Sequence, residues 1–238
     1  TATCMPQHIA KIFLIFSSSF LENSSFISFI FTSISIIFVL LVSSNAYAGG
    51  LIGIKVGQGE LEGNKAGYTA GTTNYAASSG DKSNEYGAIF AEINLGDTPI
   101  SIGLEHIPFE ANIRLDGAKE TDTGATIDNA NTLYLLAAKE LGNGGSAYIK
   151  AGLFSADIGT IKNTGTTVNS QDSTLEGNMV GLGFQSPEIG VGLVVRGEAT
   201  LTDLDDVSVT TSSNGSASVK KTADGELTTF SISVAKKF

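Results

Sequence analysis

The chain has 238 residues, a net charge of −10, 28 glycines, a single cysteine and no tryptophan. That acidity argues against nucleic acid as a partner, and one cysteine supplies neither a disulfide framework nor a cysteine-based metal site. The length suffices for one domain with a substantial core, and after position 50 the apolar residues come in short alternating runs, which excludes helical membrane spans there.

The first 48 residues differ in kind from the rest. Between Glu22 and Gly49 no residue is charged, Phe26 to Val42 is rich in Phe, Ile, Ser, Leu and Val, and Ser43-Ser44-Asn45-Ala46-Tyr47-Ala48 follows. An apolar, helical segment ending in small residues at Ala46 and Ala48 predicts a secretory signal peptide over 1–48, cut between Ala48 and Gly49, and a single domain over 49–238. The alternative is a membrane anchor, against which stand the A-x-A site and the lack of a flanking basic cluster. The chain opens on Thr1, so the leader's start is Met5, a later codon, or upstream. Cys4 leaves with the leader, and no cysteine stands at the junction to carry a lipid.

Eight runs with a period of two then follow, each predicting a strand. Strand 1 sets Ile52, Ile54 and Val56 against Gly53, Lys55 and Gly57 and ends near Glu60. A polar stretch, Glu62 to Asn84, precedes strand 2, with Ile89, Ala91, Ile93 and Leu95 against Ala88, Phe90, Glu92 and Asn94. Gly96-Asp97-Thr98-Pro99 turns the chain into strand 3, where Ile100, Ile102, Leu104 and His106 oppose Ser101, Gly103, Glu105 and Ile107. After a polar segment around Asp116-Gly117, strand 4 sets Leu133, Leu135, Ala137, Lys139 and Leu141 against Tyr134, Leu136, Ala138 and Glu140. Its Leu, Ala, Lys and Glu are also good helix formers; the hairpin signal Asn143-Gly144-Gly145 decides for a strand.

Strand 5 carries Ala147, Ile149, Ala151 and Leu153 against Tyr148, Lys150, Gly152 and Phe154, with a tip at Asn163-Thr164-Gly165. Strand 6 has Val180, Leu182 and Phe184 against Gly181, Gly183 and Gln185, then a short turn at Ser186-Pro187-Glu188. Strand 7 has Val191, Leu193, Val195, Gly197, Ala199 and Leu201 against Val194, Arg196, Glu198 and Thr200. A connection centred on Asn214-Gly215 leads to strand 8, where Phe230, Ile232, Val234, Lys236 and Phe238 oppose Ser231, Ser233, Ala235 and Lys237.

Connections alternate long and short. That predicts an all-β fold, an eight-stranded antiparallel up-and-down transmembrane β-barrel, with short turns facing the periplasm, long loops outside and strand 8 closing on strand 1 near Leu51 to Val56. The terminal Phe238, with Phe230, Ile232 and Val234 at alternate positions, resembles the C-terminal strand of small eight-stranded bacterial outer-membrane barrels, the superfamily of the OmpA membrane domain, OmpX and the opacity proteins. The resemblance implies location in the outer membrane, contact with its lipid and lipopolysaccharide, insertion by the barrel-assembly machinery through that strand, and a non-enzymatic surface role in adhesion or envelope integrity, with an extracellular partner met by the loops. The resemblance stops short of the peptidoglycan-binding domain of full-length OmpA, so tethering to the cell wall is not among the expected roles.

On the less apolar face stand Lys55, Lys150, Arg196 and Lys237 with Glu92, Glu105, Glu140 and Glu198. Eight strands enclose a lumen only wide enough for side chains, so this balanced set predicts a paired, plugging network inside; the rival is the solvent-facing set of a soluble periplasmic barrel that binds a small ligand. Lys139 and Lys236 are the charges on the apolar face, near the short-turn end where a lysine snorkels to headgroups. Tyr86 suits an interfacial belt yet falls on the inward register.

No catalytic, cofactor or metal residue is predicted. His106 lacks a serine and an acid on its own face and reads as an unpartnered surface histidine. Asp203, Asp205 and Asp206 lack the glycine turn and distant glutamate of a calcium loop and read as a solvated acidic cluster. The rival functions are a small porin or channel for ions or apolar molecules and, further off, an outer-membrane lipid-modifying enzyme.

Overall fold

Period-two alternation without a helical signal leaves each strand a single face to bury, and closing the sheet on itself buries it without leaving an edge. The computed structural model describes residues 49–70, 73–114, 123–159, 162–163, 167–212 and 218–238. The expected leader over 1–48, its expected junction at Ala46 and Ala48, and the loop centres at Asp116-Gly117, Thr164-Gly165 and Asn214-Gly215 lie outside them. The eight barrel strands are β1 (Gly50–Lys65), β2 (Ser78–Asn94), β3 (Ile100–Ile107), β4 (Thr123–Glu140), β5 (Ser146–Ile158), β6 (Thr174–Gln185), β7 (Leu193–Ser212) and β8 (Val219–Lys237). Each pairs antiparallel with the next, and β8 pairs with β1 from Leu51↔Lys237 to Lys65↔Ala223, so the hydrogen-bonded ring is closed.

The stretch weighed between helix and strand, Leu133 to Leu141, is strand as far as Glu140. Leu141 N–H donates to Gly145 O at 2.8 Å, and Gly144 takes a φ of +82°, a conformation that favours glycine. The turn after β6 is longer than the sequence suggests. Val191 lies in it, exposed, and β7 begins only at Leu193, because Gly190 and Gly192 both adopt positive φ and Ile189 bridges to Leu193.

Apolar residues face outward around the whole ring: Ile54, Ile89, Ile102, Leu135, Ile149, Leu182, Val195 and Ile232 each stand on the exposed side of their strand. Ile149 is 66% exposed and Phe230 65%, while Lys55 and Glu92 on the inner side are 4% and 3% exposed. This inverts a water-soluble barrel and makes the outer face a lipid-contacting belt. The soluble-barrel reading is thereby excluded.

Several strands run well past the belt. Weak alternation near the bases of the polar connections, as in Val207-Ser208-Val209, predicts strands that project beyond the membrane as hairpins, and the ladder does continue there: β1 extends to Lys65, β2 starts at Ser78, β7 ends at Ser212 and β8 starts at Val219. In this extension a small hairpin pairs Tyr68–Ala70 with Thr73–Tyr75, Ala111–Arg114 and Lys162–Asn163 pair with β4, and Thr167–Gln171 pairs with β7.

Candidate functional site

The lumen at belt level is where the sequence concentrates its buried charge. Lys55 on β1, Glu105 on β3, Lys150 on β5 and Glu198 on β7 sit one on each odd-numbered strand, alternating in sign. Their heads meet in a closed circuit. Lys55 Nζ lies 2.5 Å from Glu105 Oε2 and 2.5 Å from Glu198 Oε1; Lys150 Nζ lies 3.0 Å and 3.3 Å from the same two oxygens.

Toward the short turns a second cluster sits beneath this quartet. Arg196 reaches across from β7 to Glu92 on β2 with a two-pronged contact, Nη1 to Oε1 at 2.7 Å and Nη2 to Oε2 at 2.8 Å, the geometry a guanidinium is built for. Its Nε donates to Gln185 Oε1 at 2.9 Å, and Tyr134 Oη donates to Glu92 Oε1 at 2.8 Å. Tyr148 ties the layers together. Its hydroxyl donates to Glu198 Oε2 at 3.1 Å while its ring lies 5.1 Å from the Arg196 guanidinium; the Lys150 ammonium rests 3.8 Å from the Tyr134 ring centroid. Three cations thus face three carboxylates, and a buried charge with partners and hydrogen bonds avoids the penalty an isolated one would incur.

Glycines make room for the rings. Gly103 is the cross-strand partner of Tyr134, Gly183 of Tyr148 and Gly53 of Phe90. A Cβ at Gly103 would collide with Tyr134 Cζ, and one at Gly183 with Tyr148 Cζ, so each phenol end lies over bare backbone that no side chain could share. These residues were not singled out from the sequence. The available signal was an inward Tyr or Phe facing a glycine on the neighbouring strand, which needs the register.

Of the eight charges expected together, Lys55, Glu92, Glu105, Lys150, Arg196 and Glu198 converge; Glu140 and Lys237 do not. Both have inward register, but Glu140 is the last residue of β4 and is exposed, and Lys237 ends β8 and lies 3.6 Å from Glu188 in the β6–β7 turn. At the strand ends inward register no longer means enclosure. The interior is also more apolar than a polar lumen implies. Leu51, Phe90, Val194 and Ala235 pack toward the short turns, and Phe154, Leu175, Leu204, Ala130 and Ala156 form a layer beyond the quartet, joined by Leu61, Ile127, Ile158 and Leu227.

Other predicted residues fall as follows. Phe230, Ile232, Val234 and Phe238 lie exposed on the outer face of the closing strand. Gly49 N–H donates to the Phe238 carbonyl at 3.0 Å, which joins the two ends of the barrel. Lys139 is exposed, Lys236 Nζ donates to the Val191 carbonyl in the turn, and Tyr86 has the inward register. His106, read as unpartnered, shares a hydrogen bond between Nδ1 and Asn131 Oδ1 at 2.9 Å. Asp203, Asp205 and Asp206 are exposed on β7, where the ladder slips between Leu204 and Val207. Among the described residues no group of three His, Cys, Asp or Glu is disposed to hold a metal ion.

A closed eight-stranded ring with an apolar exterior and ion pairs at its centre defines a small outer-membrane β-barrel. Its fold is that of OprG from Pseudomonas aeruginosa, with a TM-score of 0.61 at 16% identity over 80% of this chain and 96% of that one. Similar with lower scores are Ail of Yersinia pestis (0.41, 10% identity, 77% and 99% of the two chains) and Neisserial surface protein A (0.37, 14%, 78% and 97%). No protein-family model and no curated protein matches the sequence.

Proposed function

We propose that this outer-membrane barrel works through its long-loop end as a surface-interaction and envelope protein, and that its lumen is closed to traffic. The observation supporting this is the circuit of Lys55, Glu105, Lys150 and Glu198, whose four charged heads contact one another across the axis at 2.5 to 3.3 Å, in a barrel whose interior side chains alone can fill. The apolar layer of Phe154, Leu175 and Leu204 beyond it is a second barrier to water and ions. The long-loop end faces the outside and carries the extracellular partner, the belt contacts lipid and lipopolysaccharide, and the strand ending in Phe238 engages the assembly machinery. The leader 1–48 is removed at Ala48, which N-terminal sequencing of the membrane-inserted protein checks by returning Gly49.

Recordings in planar bilayers test the closed lumen. Purified protein is expected to give almost no conductance, and steady unit openings would turn the reading to a channel for ions or small apolar molecules. Incubation with lipopolysaccharide tests the absence of an enzyme: the lipid is expected to return unmodified, and a modification abolished by His106→Ala would overturn this.

A further inference from the structure

We infer that Lys65, Tyr68, Tyr75 and Lys221 form a binding site for an anionic oligosaccharide arriving from the outside, an inference that rests on the surface-interaction reading above. Beyond Lys65 the chain folds into the small hairpin, which sets Tyr68 directly across from Tyr75. Their rings stack, with centroids 4.7 Å apart and planes 9° from parallel. Lys65 Nζ lies 5.4 Å from the Tyr68 ring centroid and Lys221 Nζ 5.2 Å from the same ring. Strands β1 and β8 thus each deliver an ammonium to one tyrosine.

Charge and register set this group apart from the acidic outward face of the extension. Steps of two from Leu61 lead to Lys65 and from Leu227 to Lys221, so both lysines continue the inward face, while Glu62, Asp224 and Glu226 belong to the outward face. Among the described residues neither lysine is ion-paired with a carboxylate, whereas Lys55 and Lys150 each have two such partners. Both half-buried ammoniums lie within 5.4 Å of one ring centroid, and a sulfate, phosphate or carboxylate brought to that ring gains charge-assisted hydrogen bonds from them. Tyr75 is 46% exposed and ends the stack. The negative face of an aromatic ring suits the C–H-lined face of a sugar. A ring on Tyr75 and an acidic group at the two lysines therefore describe an oligosaccharide of at least a few units. Inward register points the site away from the lipopolysaccharide around the belt.

The test is calorimetric titration of the full mature protein in lipid nanodiscs with three probes: a sulfated uronate-containing octasaccharide, a phosphorylated lipopolysaccharide core oligosaccharide, and neutral maltooctaose. The sulfated octasaccharide is expected to bind with an affinity that falls with salt, and maltooctaose at least about tenfold more weakly, a gap of about 1.4 kcal/mol. Lys65→Gln with Lys221→Gln is expected to weaken it by about tenfold or more and flatten the salt dependence, Tyr75→Ala to weaken it several-fold with the salt dependence kept, and Lys139→Gln to change nothing. Lys65→Arg with Lys221→Arg, which keeps both charges, is expected to retain binding, and the gel shift of the unboiled barrel checks that every variant is folded. Equal binding of maltooctaose, or unchanged binding by the double Gln variant, overturns the site; tighter binding of the core oligosaccharide overturns the external source. A silent barrel that fails to bind loses only this site, and a conducting barrel that binds loses only the closed lumen.

Discussion

Within a few residues of β1 the apolar side of the strand changes over. In the belt, Ile52, Ile54 and Val56 face out and Lys55 faces in; in the extension, Glu60 and Glu62 face out and Leu61 faces in. The same exchange occurs on β7, from Leu201 outward to Asp203 outward with Leu204 inward, and on β8, from Phe230 outward to Glu226 outward with Leu227 inward. Backbone ladder and period are continuous through the change. The solvent differs: the belt meets hydrocarbon and keeps its charges inside, while the extension meets water and buries leucine and phenylalanine as a soluble sheet does. One closed sheet is thus two proteins in series, distinguished only by which face of each strand is greasy.

The two halves should fail differently. The largest expected effect is in the belt: Arg196→Ala leaves Glu92 buried with only Tyr134 beside it and is expected to cost about 3 to 5 kcal/mol, read as a lower unfolding temperature in detergent, with Lys65→Ala as a near-neutral comparison. Equal effects of the two would remove the distinction between enclosed and peripheral charge. Next, Leu204→Ala in the apolar layer of the extension is expected to cost about 2 to 5 kcal/mol. Its loss should be local: hydrogen exchange should speed up in the β7–β8 ladder beyond Leu204 and stay slow around Val195↔Val234. Exchange rising equally along the strand would mean the two regions unfold as one.

A third substitution tests the outer face. Val180→Arg at belt level is expected to cost about 2 to 4 kcal/mol and Asn178→Arg, one step outward on the same face, about 0 to 1; similar costs would place the boundary of the hydrocarbon elsewhere. The smallest effect is a gain. Asp81, Glu62, Glu226 and Asp203 are successive cross-strand neighbours over β2, β1, β8 and β7 on the water-facing side. Like charges directly opposite destabilise a sheet, so Glu226→Gln should stabilise by about 0.2 to 1 kcal/mol at low salt and by less at high salt, measured as a shift in melting temperature.

The belt could be read from the sequence because lipid demands one uninterrupted outward row, and Ile149-Ala151-Leu153 or Phe230-Ile232-Val234 displays it to any count by twos. The extension showed only in part, as the alternation at Val207-Ser208-Val209, because Ser, Thr, Asn and Gly at positions such as 78–84 carry no apolar row, and the inward Leu61 or Leu227 is one residue amid polar neighbours. Inward charges were visible one at a time for the same reason as the belt. That they pair followed from their balance, but which charge meets which did not, since Lys55 meets Glu105 and Glu198 on strands that are not its ladder neighbours, and only closure of the ring brings those strands together. The seats of Tyr134 and Tyr148 on Gly103 and Gly183 depended likewise on register.

The placement of one charge on each of β1, β3, β5 and β7 bears on how the chain finds its alignment. A slip of one residue in any of these strands would swing its lysine or glutamate into the acyl chains, and a slip of two would carry the head about 6.6 Å along the strand, away from both partners. The quartet is complete only when four separate hairpins agree, so it acts as a four-figure combination that opens to a single alignment of the sheet.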